Sequence, residues 1–201
     1  MPTPNIDVVK TALTKDGRDL KIRSAIEQAW VDVQKKYSDR AWWRRATTLR
    51  SVMWEHSVDQ VMAVVADDDG LVSIEHHDTA SFIADDLVLF RLKKADRKLF
   101  SRNFPTPLAS MFHKHETDLF GHEGFHRVEI VHTFNRFHTA IDWIGVVARD
   151  GKTMLWEFEI CRGEGQVILM PVTPILPAGK TVVRPSVPDI VEQGEQGQTE
   201  K

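Results

Sequence analysis

Residues 125–161 read FHRVEIVHTFNRFHTAIDWIGVVARDGKTMLWEFEIC, and this stretch decides the fold. Its runs IDWIGVVA (141–148) and TMLWEFEI (153–160) flank the tetrapeptide Arg149-Asp150-Gly151-Lys152. An Asp-Gly pair between two runs of β-branched and aromatic residues is the strongest short-range hairpin signal a sequence carries. The stretch is therefore expected to form an antiparallel meander, the core sheet. Asp142, Glu157 and Glu159 fall on outward positions of the meander, and six of the nine histidines lie just before or within it, between His113 and His138.

Working upstream, VSIEHH (72–77), ASFIA (80–84) and LVLFRLK (87–93) are short strand-like runs separated by Asp78-Thr79 and Asp85-Asp86, which predicts two hairpins in succession. Thr106-Pro107 makes a helix start, a capping hydroxyl followed by proline in the first turn, with Leu108, Met111, Phe112, His115 and Leu119 as its face. Before the strands, Leu20, Ile26, Ala29, Trp30, Val33 and Tyr37 keep helical spacing. A second helix is expected from a Ser38-Asp39 cap, with Trp42, Ala46, Leu49, Met53 and His56 facing inward, and a third from a Ser57 cap with Val58, Val61, Met62 and Val65. Helices first and strands later indicate α+β rather than alternating βαβ. Residues 1–17 are expected as a loose lead-in, 18–176 as one α+β domain, and 177–201 as a proline-rich, then acidic, disordered tail. QVILMPV (166–172) is one further strand candidate.

With 42% hydrophobic and 27% charged residues in 201, the composition is that of an ordinary globular chain. No apolar run approaches the roughly 18 to 20 residues a membrane span needs. The opening MPTPNIDVVK has no secretion-signal pattern, and the single Cys161 excludes an internal disulfide, so a cytoplasmic location is expected. The net charge of −3 equals that of residues 186–201, where Asp189, Glu192, Glu195 and Glu200 stand against Lys201. A near-neutral body argues against wholesale electrostatic binding of nucleic acid and leaves room for local basic patches.

Four patterns carry candidate chemistry. His122-Glu123-Gly124-Phe125-His126 matches the H-E-x-x-H zinc-protease pattern, with His132 at the spacing of a third ligand. That chemistry needs both histidines one helical turn apart, whereas Gly121, Gly124 and the run Arg127-Val128-Glu129-Ile130-Val131 favour a loop entering a strand, where the two would stand about 13 Å apart. Asp142 with Glu157 and Glu159 offers carboxylates for a nuclease Mg²⁺, although Glu159 occupies the place of the lysine in the restriction-nuclease pattern; the plainer account is a solvated strand face. Arg50 and His56 fit the short R-x(4–6)-H motif of the helical HEPN ribonucleases, a match that chance supplies easily among nine histidines. Finally, Arg40-Ala41-Trp42-Trp43-Arg44-Arg45 and the segment Arg91 to Arg102 are basic, and arginine beside exposed tryptophan suits stacking on single-stranded bases. Trp42 equally suits a buried helix face.

At His77-Asp78-Thr79-Ala80-Ser81-Phe82, Phe90-Arg91-Leu92-Lys93-Lys94 and Val147-Ala148-Arg149-Asp150-Gly151 the chain resembles uncharacterised bacterial proteins encoded beside regulators that combine a helix-turn-helix with a zinc-peptidase-like domain. The resemblance spans roughly residues 40 to 160. It implies a toxin–antitoxin or phage-defence locus, with this chain as the member that does not bind DNA, and assigns no catalytic residue. The expected role is binding to a neighbour-encoded protein through Trp42, Trp43, Arg91, Lys93 and Lys94, since arginine and aromatics are enriched at interfaces. The rival expectation is an enzyme, either a Zn or Mg hydrolase or a metal-independent ribonuclease. No cofactor is required by the sequence.

Overall fold

In the computed structural model, which describes residues 3–76, 79–101, 107–115 and 124–162, a helix forms where the composition suggests a loose lead-in. Asn5 caps α1 (Ile6–Thr14) by accepting the Asp7 backbone N–H at 2.8 Å, and Val9, Ala12 and Leu13 are buried. This corrects the reading of residues 1–17. The apolar spacing is helical, but it fills only nine residues and lies close behind two prolines.

Next comes α2 (Arg18–Lys36), as expected, followed by a 3-10 turn (Arg40–Trp42) and α3 (Ala46–Ala66). The two expected helices after Ser38 are thus one. Ser57 is not a cap: it is buried in mid-helix, its hydroxyl donating to the Met53 carbonyl at 2.7 Å. Trp42 lies on the 3-10 turn rather than on a helix face, and is 86% exposed.

Six strands follow: β1 (Leu71–His76), β2 (Thr79–Ala84), β3 (Val88–Lys94), then, after a crossover containing helix α4 (Pro107–Lys114), β4 (His126–Phe134), β5 (Ile141–Asp150) and β6 (Thr153–Glu159). They form one sheet in chain order, antiparallel throughout except for the parallel β3–β4 pair. The fold is α+β, and the meander, both upstream hairpins and the start of α4 stand where the sequence predicts them. However, α4 ends at Lys114, so His115, at a φ of 53°, follows the helix instead of lying on its face, and Leu119 lies outside the described residues. Asp150 pairs with Thr153 around Gly151-Lys152, and Gly151 takes the positive φ of 56° that glycine tolerates best. The QVILMPV segment and the 177–201 tail lie outside the described residues, all of which belong to the unit Met1–Ile168.

Strand periodicity divides the sheet into two unlike faces. Val88, Phe90, Leu92, Val128, Ile130, Ile144, Val146 and Ala148 pack against Leu13, Ile22, Ile26, Trp30, Val33, Met53 and Val61 of the three N-terminal helices. The alternate residues face the other way, where Phe112 of α4 covers Ile83 and Leu89, and Leu99 covers Ala95, Val131 and Val147. No helix among the described residues is long and apolar enough to cross a membrane.

Candidate functional site

Because β3 and β4 are parallel, their C-terminal ends emerge side by side, and the residues that follow each strand meet at one edge of the sheet. The first turn of α3 closes the third side. Between them lies a cleft of about 550 Å³ whose charged lining is Arg50, Lys94, Arg97 and Arg136 against Asp96, with His138 at its rim. Asp96 is already committed to its own turn, where its Oδ1 accepts from the Lys98 and Phe100 N–H groups at 2.9 and 3.1 Å. Arg45 precedes α3 in an extended conformation without a side-chain cap, so the positive end of a 21-residue helix adds to the cleft's field.

The far wall is held firmly. Asn135 accepts the Thr139 N–H at 2.9 Å and donates to its hydroxyl at 2.8 Å, while Trp30 Nε1 and Gln34 Nε2 of α2 both donate to the Thr139 carbonyl. Lys94 Nζ stands 5.2 Å from the Phe134 ring centre. Burial lowers the His138 pKa, and the Lys94 charge lowers it further. A neighbouring hollow of about 460 Å³ continues the lining through Arg97, Arg136, Asp142 and Trp143. Phe137, 78% exposed, projects between Arg136 and His138, and Trp42 precedes α3. These two aromatics are the most exposed large apolar residues among those described.

The expected sites fare differently. Arg50 lines the cleft, but His56, six residues on, points about 120° away around the helix at 3.6 residues per turn and sits edge-on to Tyr37 at 5.9 Å. His126 begins β4 and His132 lies on the same strand, about 20 Å apart at the strand rise, so they cannot share a zinc. His122 lies outside the described residues, and His126 Nδ1 accepts the Asn5 N–H at 3.3 Å. Glu157 and Glu159 stand opposite Val147 and Gly145 on the edge strand, and Glu159 pairs with Arg23 at 3.7 Å. Asp142 is three residues beyond Gly145, about 10 Å further along, so the carboxylates do not converge. Among the described residues no group of three or more His, Cys, Asp or Glu is placed to hold a metal.

The expected partner surface divides. Trp42 is exposed and Lys94 lines the cleft, whereas Trp43 packs edge-on to Tyr37 at 5.5 Å and Arg91, 5% exposed, faces the opposite side of the sheet together with half-buried Lys93. Arg91 is therefore corrected from a docking residue to an interior one. Arg136 went unrecognised in the sequence, while Arg97 and His138 stood out only as members of the basic 91–102 segment and of the histidine concentration from His113 to His138. Their proximity depends on the parallel β3–β4 pairing, which no local pattern announces.

On that opposite face α4 and the Ala95–Ser101 segment close over a polar cluster. Glu129 of β4, 2% exposed, receives Arg149 Nη2 at 2.6 Å and the Ser101 hydroxyl at 2.9 Å. Arg149 Nη2 also donates to His113 Nε2 at 2.9 Å. Burial first, and then the Arg149 charge, pushes His113 down to about 3, so its ring is neutral and accepts. Arg149's own carbonyl accepts His115 Nε2–H at 2.7 Å. With its oxygens so occupied, Glu129 serves to tie β4, β5 and α4 together rather than to act as a base. No family model, curated protein or solved structure matches the chain.

Proposed function

We propose that the protein binds single-stranded nucleic acid, with the sugar-phosphate backbone in the Arg50–Lys94–Arg97–Arg136 cleft and bases stacked on Trp42 and Phe137. The observation that carries this reading is the lining of the cleft: four cations converge on one hollow against a single carboxylate, Asp96, whose Oδ1 is turned to its own backbone turn. Such a surface neutralises phosphates and releases their counterions. Sequence-tolerant binding by cations and exposed aromatics is the physics of single-strand grooves. The protein-partner expectation in a two-gene unit loses Arg91 to burial and keeps Trp42 and Lys94, which the nucleic-acid reading also uses.

Fluorescence anisotropy with a labelled single-stranded RNA, repeated across a salt series, tests the reading. Lys94→Gln and Arg136→Gln should each weaken binding and flatten the slope of log K against log salt by about 0.7. Trp42→Ala should cost about 1–3 kcal/mol of binding and leave thermal unfolding unchanged, because that ring is exposed. Absence of binding at low salt, or a salt slope indifferent to both cleft substitutions, would refute the assignment.

A further inference from the structure

β2 and β3 pair over only three residues, Phe82–Ala84 against Val88–Phe90. Beyond that point β2 stays with β1 and β3 with β4, so the two strands part in a fork. Arg91 and Lys93, two residues apart on β3, project from the fork on the sheet face that α4 covers. Arg91 reaches across it: Nε donates to Ser81 Oγ at 2.9 Å, and the guanidinium lies 4.4 Å from the Phe112 ring centre. Its Nη2 is enclosed and has no hydrogen-bond partner. Lys93 has neither a hydrogen bond nor an ion pair among the described residues.

The acid in register with Arg91 is Glu129, whose carboxylate is held by Arg149 and Ser101. Among the described residues neither cation has an anion of its own, and the burial of Arg91 and half-burial of Lys93 cost desolvation energy and add mutual repulsion. Burial accordingly lowers Arg91 to about 10 and lowers Lys93 as well, with Glu129 partly opposing both shifts. A guanidinium fork and an ammonium side by side recognise the oxygens of a phosphoryl or carboxyl group.

We propose that the fork between β2 and β3 is a binding site for a small oxyanion, held by Arg91 Nη2 and the Lys93 ammonium beneath α4. It is separate from the cleft, since Lys94, the neighbouring cation, turns to the other face of the sheet.

Thermal unfolding of the full chain with sodium phosphate, ionic strength being held constant with chloride, tests the site. The wild type should gain a saturable rise of about 4 °C at ten times its Kd. Acetate in place of phosphate distinguishes the sources: a rise with phosphate alone assigns a phosphoryl ligand, and an equal rise with acetate assigns a carboxylate. Lys93→Met should abolish the rise while matching or exceeding wild-type stability without phosphate, because an unpaired cation is gone. Arg91→Lys, which keeps charge and loses the planar fork, should weaken the phosphate Kd about tenfold. Lys94→Gln should keep the full response, which separates this site from the cleft. No saturable rise in the wild type, or one that survives in Lys93→Met, would overturn the proposal.

Discussion

Arg18→Met is expected to lower the unfolding free energy by about 3–5 kcal/mol. Arg18 opens α2 yet is only 1% exposed. Its Nε and Nη2 donate to the two oxygens of Asp68 at 2.8 and 2.9 Å, and its Nη1 donates to the Ala12 carbonyl at 3.0 Å and lies 2.9 Å from Asp85 Oδ2. One guanidinium thereby joins α1, the loop after α3 and the β2–β3 turn. Gly70 belongs to the same device, for a Cβ there would overlap the guanidinium. Hydrogen bonds from Arg18 hold both carboxylates below their ordinary range. A methionine of similar length leaves Asp68 with only the Gly70 N–H and Asp85 with only the exposed Lys15 as partners, two carboxylates without their shared cation, which is the costly way to break a buried pair. Urea denaturation reads the loss directly. Arg18→Met/Asp68→Asn should recover part of it, because one stranded charge has gone. A single-mutant loss below about 1 kcal/mol would show that the cluster is solvated and incidental.

Sequence pattern revealed the elements of this protein more readily than their assembly. The Asp150-Gly151 turn, the Asp-separated strands and the proline at 107 that opens α4 are local signals, each set by the conformational preferences of a few adjacent residues, and all three mark real elements, the Thr106 cap lying outside the described residues. The helices were less legible. Ser57 looks like a cap because its hydroxyl competes for backbone groups, but burial and the Met53 carbonyl satisfy it inside the helix. Arg91 reads as a surface residue because arginine is seldom buried. Here Ser81, Phe112 and the covering α4 place it in the interior. The cleft was legible only in fragments, Arg50, Lys94 and the basic 91–102 segment. Arg97 and Arg136 join them through the β3–β4 crossover, a long-range pairing that sequence spacing does not encode.

Two buried histidines should make the protein acid-labile well before its carboxylates titrate. His132, wholly enclosed on the helical side of the sheet with an unpartnered Nε2, is pushed to about 3 by burial and, to a lesser degree, by the Lys94 charge. His113 on the other face reaches a similar value for the reasons already given. Below the ordinary histidine value of 6.5 the unfolded chain takes up two protons that the folded chain refuses. Stability is therefore complete above 6.5 and falls as pH is lowered toward 3, by about 2.7 kcal/mol per pH unit for the pair, or about 5 kcal/mol by roughly pH 4.5. Asp68 and Asp85 act in a lower window, since their depressed values preserve stability above 3.8 and surrender it only beneath. His132→Leu should remove at most about half of the slope between pH 6.5 and 4.5, because His113 and the lowered His115, His126 and His138 supply the rest. It should also stabilise the protein at neutral pH, because it replaces an unsatisfied buried nitrogen with apolar volume. The measurement is a series of urea midpoints across that range for the wild type and for His132→Leu. A flat wild-type profile above about pH 5 would show that neither ring is held neutral by the fold, and parallel slopes for the two proteins would show the same of His132.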